Sequence, residues 1–303
     1  LTKQFDVITA GPVFLDIVMS GFTDLPKFGE EAECAQLQYE AGGGAAITAC
    51  GLAKLGCKTA LLAVVGDSDS VWFRRRLESF GVDLSYLRLR ENESTALTVS
   101  ASTRLDRAYF TYPGANKLLP ELFADPIIRH ALRQARHAHI ANAIAPDTLI
   151  ELSNELRRAD TTLSLDVGWR ETWLRDEDIW PALRAVDLFF PNEREAALLT
   201  GQSEPEAILQ TFADAGVSTV ALKLGANGAA LLYAGKRYFA APHQVAPLDT
   251  TGAGDCFNAG FLFAWLQGKV PAECLRVANI CGALSTQALG GVAAFPTIEQ
   301  LAI

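Results

Sequence analysis

What the sequence does without narrows its chemistry before any motif is read. No CxxC pair occurs among Cys34, Cys50, Cys57, Cys256, Cys274 and Cys281, which are scattered, mostly among apolar, helix-like stretches. That scatter suits free buried thiols in a reducing cytoplasm better than a disulfide framework. No basic run or stripe is present and the net charge is -9, so no nucleic-acid partner is expected. No apolar run approaches the roughly 20 residues of a membrane helix, so no membrane partner is expected either. Leu1–Gly11 reads as a short strand and not as a basic stretch followed by a long apolar run, so no signal peptide is expected. The expected location is cytoplasmic.

Other absences bear on the reaction. Gly11-Pro12-Val13 follows the first strand where a GxGxxG loop would stand, which argues against a nicotinamide-dependent oxidoreductase. His130, His137, His139 and His243 form no metal-ligand spacing, and no zinc site is expected. His137 and His139 are expected to point opposite ways in an extended chain, as surface or core residues.

What is present reads as a globular enzyme. Half of the residues (50%) are hydrophobic, enough for a large core. Strand-like and helix-like runs alternate: Phe5–Ala10, Thr59–Val65, Ala138–Ala141, Thr162–Asp166, Asp187–Phe190 and Thr219–Leu224 read as strands. Ala45–Leu55, Ser70–Phe80 (with Val71, Leu77 and Phe80 on related faces), Pro146–Arg158, Pro181–Ala185, Glu193–Leu199 and Glu204–Ala215 read as helices. This rhythm predicts an α/β fold, a mostly parallel sheet covered on both faces, in one domain spanning 1–303.

Two segments break the rhythm. Residues 13–40 and 95–112 alternate polar and apolar positions without helix signals, and Thr95–Ser102 with Ala108–Tyr112 reads as a hairpin around Arg104–Arg107. Together they predict a small antiparallel sheet, either a lid that excludes water from a site or an edge extension.

Asp249-Thr-Thr-Gly-Ala-Gly-Asp255 runs straight into the apolar helix Cys256–Leu266. Gly252, Ala253 and Gly254 leave their backbone N–H groups open to an anion, and a helix N-terminus adds unpaired N–H groups and a positive dipole end. Asp255 at the edge of that hole can take a proton from an attacking hydroxyl. Asp is also a good N-cap, but two aspartates bracketing TTGAG are a more specific pattern than a lone GxG. Phosphoryl transfer is mostly positioning and charge stabilisation. Positioning supplies about 7–11 kcal/mol of barrier reduction, and one oxyanion donor about 3–4 kcal/mol.

This run resembles the C-terminal signature of the ribokinase, or PfkB, family of carbohydrate kinases, and the resemblance extends over essentially the whole chain. It implies a ribokinase-like, Rossmann-like three-layer α/β/α domain with a small β-sheet lid, ATP as donor, and Mg2+. Ala41–Ala49 resembles the family's N-terminal di-glycine signature, with Gly42 and Gly43 close to a substrate hydroxyl; alone, the same glycines read as a tight strand-to-helix turn. Ala46 and Ile47 stand where many members carry an Asn. Asp16 resembles the family aspartate that binds two sugar hydroxyls, a role suited to a carboxylate; otherwise it is a solvated loop residue.

Asn192 and Glu195 resemble the family's NxxE motif, placed at a strand's C-terminal end where α/β sheets bind ligands. The resemblance implies Mg2+ held through water and a nucleotide contact at Asn192, while a capping box gives the same spacing. Lys223, Gly225 and Gly228 resemble the nucleotide-phosphate and ribose loop, and Asn279 a position bordering the adenine. Tyr112–Asn116 resembles the segment closing the lid hairpin, implying substrate contact at Asn116. Arg107 and Tyr109 either face the substrate or stabilise the lid. Asp166 and Arg170, with Trp173, resemble a DxNxRxxLW pattern in which Gly168 replaces the Asn. Asp249, Thr251, Ser285 and Gly290 overlie a monovalent-cation loop of some members, implying K+.

The activity expected is an ATP-dependent phosphotransferase that moves the γ-phosphate to a carbohydrate hydroxyl. A nucleoside kinase of the same fold would differ only in its lid and pocket. A binding-only relative would have no need to keep Asp255, the GAG turn and NxxE. The expected partners are a sugar and ATP, and an open lid edge offers a route to a homodimer.

Overall fold

The computed structural model describes residues 2–68, 70–103 and 107–301, without the side chain of Arg107. The chain begins with β1 (Phe5–Ala10), β2 (Phe14–Phe22), β3 (Gln36–Gly42), α1 (Gly44–Lys54), β4 (Thr59–Gly66) and α2 (Ser70–Glu78). It continues through β5 (Leu87–Arg90), β6 (Leu97–Thr103), β7 (Arg107–Tyr112), α3 (Leu119–Ala124), α4 (Pro126–Leu132), β8 (Ala135–Ile140) and α5 (Pro146–Arg158). Then come β9 (Thr162–Leu165), α6 (Glu171–Leu174), α7 (Ile179–Ala185), β10 (Leu188–Phe189), α8 (Glu193–Thr200) and α9 (Pro205–Asp214). The last elements are β11 (Thr219–Lys223), β12 (Ala229–Tyr233), β13 (Lys236–Ala240), α10 (Ala253–Leu266) and α11 (Pro271–Ser285).

The central sheet has nine strands in the order β13-β12-β11-β10-β9-β8-β1-β4-β5. It is parallel from β11 to β5, with β12 and β13 added antiparallel. Helices cover both faces, so β4 is buried at every residue, which is why it reads as an unbroken apolar run. On one face, Val7, Leu61, Ala63 and Val65 pack with α1, α10 and α11; on the other, Ile8, Leu62, Val64 and Leu163 pack with α3, α5 and α9. α10 is buried continuously from Cys256 to Ala264, as expected of a helix that is apolar all round.

The two segments outside the βα rhythm build a second sheet, ordered β3-β2-β6-β7. β2 pairs antiparallel with β3 and parallel with β6, and β6 pairs antiparallel with β7. The pleat therefore sorts side chains onto two faces. Asp16, Glu40 and Ser100 lie on a buried face. Leu37 (55% exposed), Tyr39 (51%), Phe110 (63%) and Tyr112 (52%) lie on the opposite face, with Ile17 and Val99 between them.

Three expectations are corrected. The second sheet is mixed and not antiparallel, because β2 and β6, from two separate segments of the chain, run parallel. α2 ends at Glu78, and Gly81, in the left-handed region (φ 85), closes it. Its buried residues are Ser70, Phe73 and Leu77, while Val71 is exposed, because two residues advance a helix by about 200°. His137 and His139 do not point apart. Residues two apart on a strand share a face, and both imidazoles are fully buried beneath α10, with the ring of Trp265 packed on His137. The six cysteines are free, as expected.

Candidate active site

The turn before α10 is built around Asp249. Its Oδ1 accepts from the Thr251 amide (2.9 Å) and hydroxyl (2.7 Å), and its Oδ2 from the Gly290 amide (2.9 Å). Gly252 then caps the helix in the left-handed conformation (φ 71), a conformation that costs glycine little. Ala253, Gly254 and Asp255 form the first turn. α1 begins opposite, after Gly43 (φ 92). A Cβ on Gly44 would lie 2.9 Å from Asp255 Oδ1, so two helix N-termini converge on this carboxylate. Burial, then the negative charge of Asp166, raise its pKa to about 7 against the counter-pull of Lys223.

Asp16 projects from the buried face of β2 at 8% exposure. A Cβ on Gly42 would fall 1.9 Å from Asp16 Oδ2, so only glycine fits beneath this carboxylate. Burial, then Asp249, Glu40 and Asp255, raise the Asp16 pKa to about 7. Asn116 holds the entry to β2: its amide donates to the Val13 carbonyl (2.9 Å) and accepts from the Val13 N–H (3.2 Å). Glu40, beside Asp16, accepts a two-pronged hydrogen bond from Arg76 Nε (2.6 Å) and Nη2 (2.5 Å).

On the other side of Asp255 lies a cavity of about 310 Å³, lined among others by Lys223, Gly225, Gly228, His243, Phe257 and Asn279. Asn279 donates to the Ala241 carbonyl at 2.9 Å, fixing its side chain at the cavity wall. The Lys223 ammonium lies 3.5 Å from where a Gly254 Cβ would sit, which joins the cavity to the turn. Lys223 pairs with Asp166 Oδ2 at 2.6 Å, and Asn258 Nδ2 donates to the same oxygen at 2.6 Å. Burial would lift the Asp166 pKa, but Lys223 and Asn258 hold it below the ordinary range. Burial likewise opposes the charge on Lys223, and Asp166 and Glu195 more than restore it.

Asn192 and Glu195 form a reciprocal capping box at the start of α8, with both hydrogen bonds at 2.9 Å. The box uses one carboxylate oxygen of Glu195. Burial, then Asp166, raise the Glu195 pKa. Not every expected residue joins the cluster. Arg170 caps α6 and is exposed, and Ser285 donates to the Gly282 carbonyl. The Arg107 side chain and the expected hairpin tip at 104–106 lie outside the described residues. Among the described residues, no three His, Cys, Asp or Glu side chains converge to hold a metal, and no helix is long and apolar enough to cross a membrane.

Sequence reasoning missed Glu40, Arg76 and Asn258. The signal for Asn258 was available, since it is the one polar side chain within Cys256–Leu266. Glu40 and Arg76 carried none.

Residues 13–298 match the model of the pfkB family carbohydrate kinases. The chain is 35% identical over 299 residues to an ATP-dependent ribose-1-phosphate kinase of Halopiger xanaduensis, covering 98% of this chain and 96% of the relative. It is 29% identical over 290 residues to the 2-dehydro-3-deoxygluconokinase of Bacillus subtilis, covering 91% and 90%. The structure of Arabidopsis thaliana ribokinase, solved with ribose and ATP, superposes with a TM-score of 0.84 at 29% identity, covering 98% of this chain and 97% of that one.

Proposed function

The chain belongs to the pfkB family of carbohydrate kinases, which are ATP-dependent phosphotransferases, and we propose that it transfers the γ-phosphate of ATP to a sugar hydroxyl with Asp255 as general base. The observation that carries this reading is the position of Asp255. Its carboxylate stands between two helix N-termini, with the 310 Å³ cavity on one side and Asp16 on the other.

The nucleotide occupies the cavity, its base against Asn279 and its phosphates against Gly225, Gly228 and Lys223. The backbone N–H groups of Gly252, Ala253 and Gly254 take up charge on the transferring phosphoryl group. Asp16 accepts hydrogen bonds from two acceptor hydroxyls over Gly42 and Gly43. Asp255, once ionised, accepts the proton of the attacking hydroxyl.

The oxygen-donor character of this side of the cleft fits Mg2+, which keeps much of its water shell. Glu195, with one carboxylate oxygen outside the capping box, and Asn192 would hold the ion through water. The ion, when bound, neutralises phosphate charge. Asp249 and Thr251, before α10, and Gly290, after α11, are brought together by the hydrogen bonds to Asp249, an arrangement that suits a monovalent cation. Turnover is expected to be higher in potassium than in sodium, and equal turnover without any monovalent salt would remove that role. The exposed apolar face of the lid sheet is proposed to cover a second copy. Phe110→Asp should then leave a monomer by light scattering, whereas an unchanged mass would discard this interface.

The deciding experiment is ADP release with Mg2+ against ribose, ribose-1-phosphate, 2-dehydro-3-deoxygluconate and a set of nucleosides. Turnover with one sugar is expected. Turnover with nucleosides alone would replace the sugar reading, and ATP binding without turnover would point to a binding-only protein.

A further inference from the structure

Directly behind the Lys223–Asp166 pair, a file of buried polar groups runs along the sheet beneath α10. In the parallel pairing of β8 and β9, His137 stands opposite Thr162 and His139 opposite Ser164. Thr162 Oγ1 meets His137 Nδ1 at 2.8 Å, His137 Nε2 meets Ser164 Oγ at 2.7 Å, and Ser164 Oγ meets His139 Nδ1 at 2.8 Å.

The direction of this chain follows from its protons. Thr162 donates its one hydroxyl hydrogen to the Arg136 carbonyl at 3.3 Å. It therefore accepts from His137 Nδ1–H, and His137 Nε2 accepts the only hydroxyl hydrogen of Ser164. Ser164 then accepts from His139 Nδ1–H, leaving a lone pair on His139 Nε2. Both imidazoles are neutral, because burial lowers the His139 pKa to about 4 and that of His137 well below its ordinary value.

His139 Nε2, Thr9 Oγ1 and Asn258 Oδ1 have no hydrogen-bond partner among the described residues. All three residues are fully buried. Thr9 is the register neighbour of His139. Asn258 lies one turn before Phe261, whose ring packs on Phe190, which in turn packs on His139. A buried polar atom left unpaired is costly, because it loses its water partners and gains none. Two acceptors and one hydroxyl donor in the same layer match a water that donates twice and accepts once.

We propose that Asn258 is a positioning residue for Lys223, steadied by one buried water shared with His139 Nε2 and Thr9 Oγ1. The proposal rests on the reading of Lys223 as a nucleotide-phosphate contact. Asn258 and Lys223 donate to the same oxygen of Asp166. While Asn258 shares that oxygen, Lys223 keeps its remaining N–H groups for a phosphate held at the Gly254 turn. Without Asn258, Asp166 draws the ammonium toward itself and away from a phosphate.

Binding of ATP with Mg2+, measured by calorimetry without acceptor, tests the link. Asn258→Leu should weaken ATP about tenfold, and should weaken it no further in a Lys223→Met background. Independent, additive losses would make Asn258 a packing residue and end the proposal. If Lys223→Met alone leaves ATP binding unchanged, the reading of Lys223 falls and the proposal with it. Thr9→Val, which keeps shape and removes one partner of the water, should weaken ATP about threefold; no change would overturn the water. Long-range 1H–15N NMR of the full chain reports on the file without any ligand. Both buried imidazoles are expected as Nδ1–H tautomers at neutral pH, and an Nε2–H proton on His139 would overturn the arrangement.

Discussion

On the cavity side of Asp255, the chain presents glycines, backbone N–H groups and one lysine matched by one aspartate. On the side of the second sheet, it brings Glu40, Asp249 and Asp255 within electrostatic reach of Asp16, with Arg76 as the cation bonded to Glu40. The difference follows from what each side is proposed to hold. A polyphosphate arrives with its own charge, so the donor side needs removed side chains and N–H groups. The hydroxyl groups of a sugar are O–H donors, so the acceptor side needs carboxylate oxygens to receive them. Burying these carboxylates near other acidic groups has a cost: burial first, then neighbouring negative charge (Asp249, Glu40 and Asp255 at Asp16, Asp166 at Asp255), raises the pKa values of Asp16 and Asp255.

The largest effect should come where the two sides meet. Asp255→Asn should keep the fold and ATP binding yet lower kcat by about 10²–10⁴. Near-normal turnover would remove the general base from the scheme. Next, Gly42→Ala puts a methyl group inside the space of the Asp16 carboxylate. Displacement of that carboxylate should lower kcat/KM for the sugar about a hundredfold, while KM for ATP stays put. An equal loss for both substrates would mean that the two sides are not separable.

Arg76→Met tests whether the acceptor side depends on its one bonded cation. Removing one partner of a buried pair costs about 3–5 kcal/mol, but the Arg76 side chain is 33% exposed, so about 2 kcal/mol is expected from chemical denaturation. A change near zero would mean that the Arg76–Glu40 pair adds nothing to stability.

The smallest effect is a pH dependence. Asp16 and Asp255 have folded-state pKa values of about 7, raised from 3.8. Between those values the folded state binds more protons than the unfolded one, so their contribution to stability falls as pH rises through the window. Activity should move the other way, because only ionised Asp255 accepts a proton: kcat/KM for the sugar should rise through about pH 7. Asp16→Asn should flatten the stability slope seen by thermal unfolding, and an unchanged slope would show that Asp16 does not titrate there.

Much of the scaffold was legible because its signals are local. The β4 run is apolar throughout since both sheet faces are covered, and Pro146–Arg158 agrees in both ends with α5. The DTTGAGD turn was legible for the same reason: a left-handed glycine and a helix start are properties of a few adjacent residues. The face of α2 and the sidedness of His137 and His139 were misread, although both follow from helix and strand periodicity.

The sequence by itself determined the alternation of strands and helices and the glycine turn that leads into α10 with Asp255 in its first turn. Each depends on backbone sterics and side-chain size over a short stretch. Only the tertiary structure decided which charges meet. Asp166, Asn258 and Lys223 come from β9's end, α10 and β11, and Glu40 and Arg76 from the lid and α2. Coulombic and hydrogen-bond energies depend on distance in space and on burial, and neither is a function of separation along the chain.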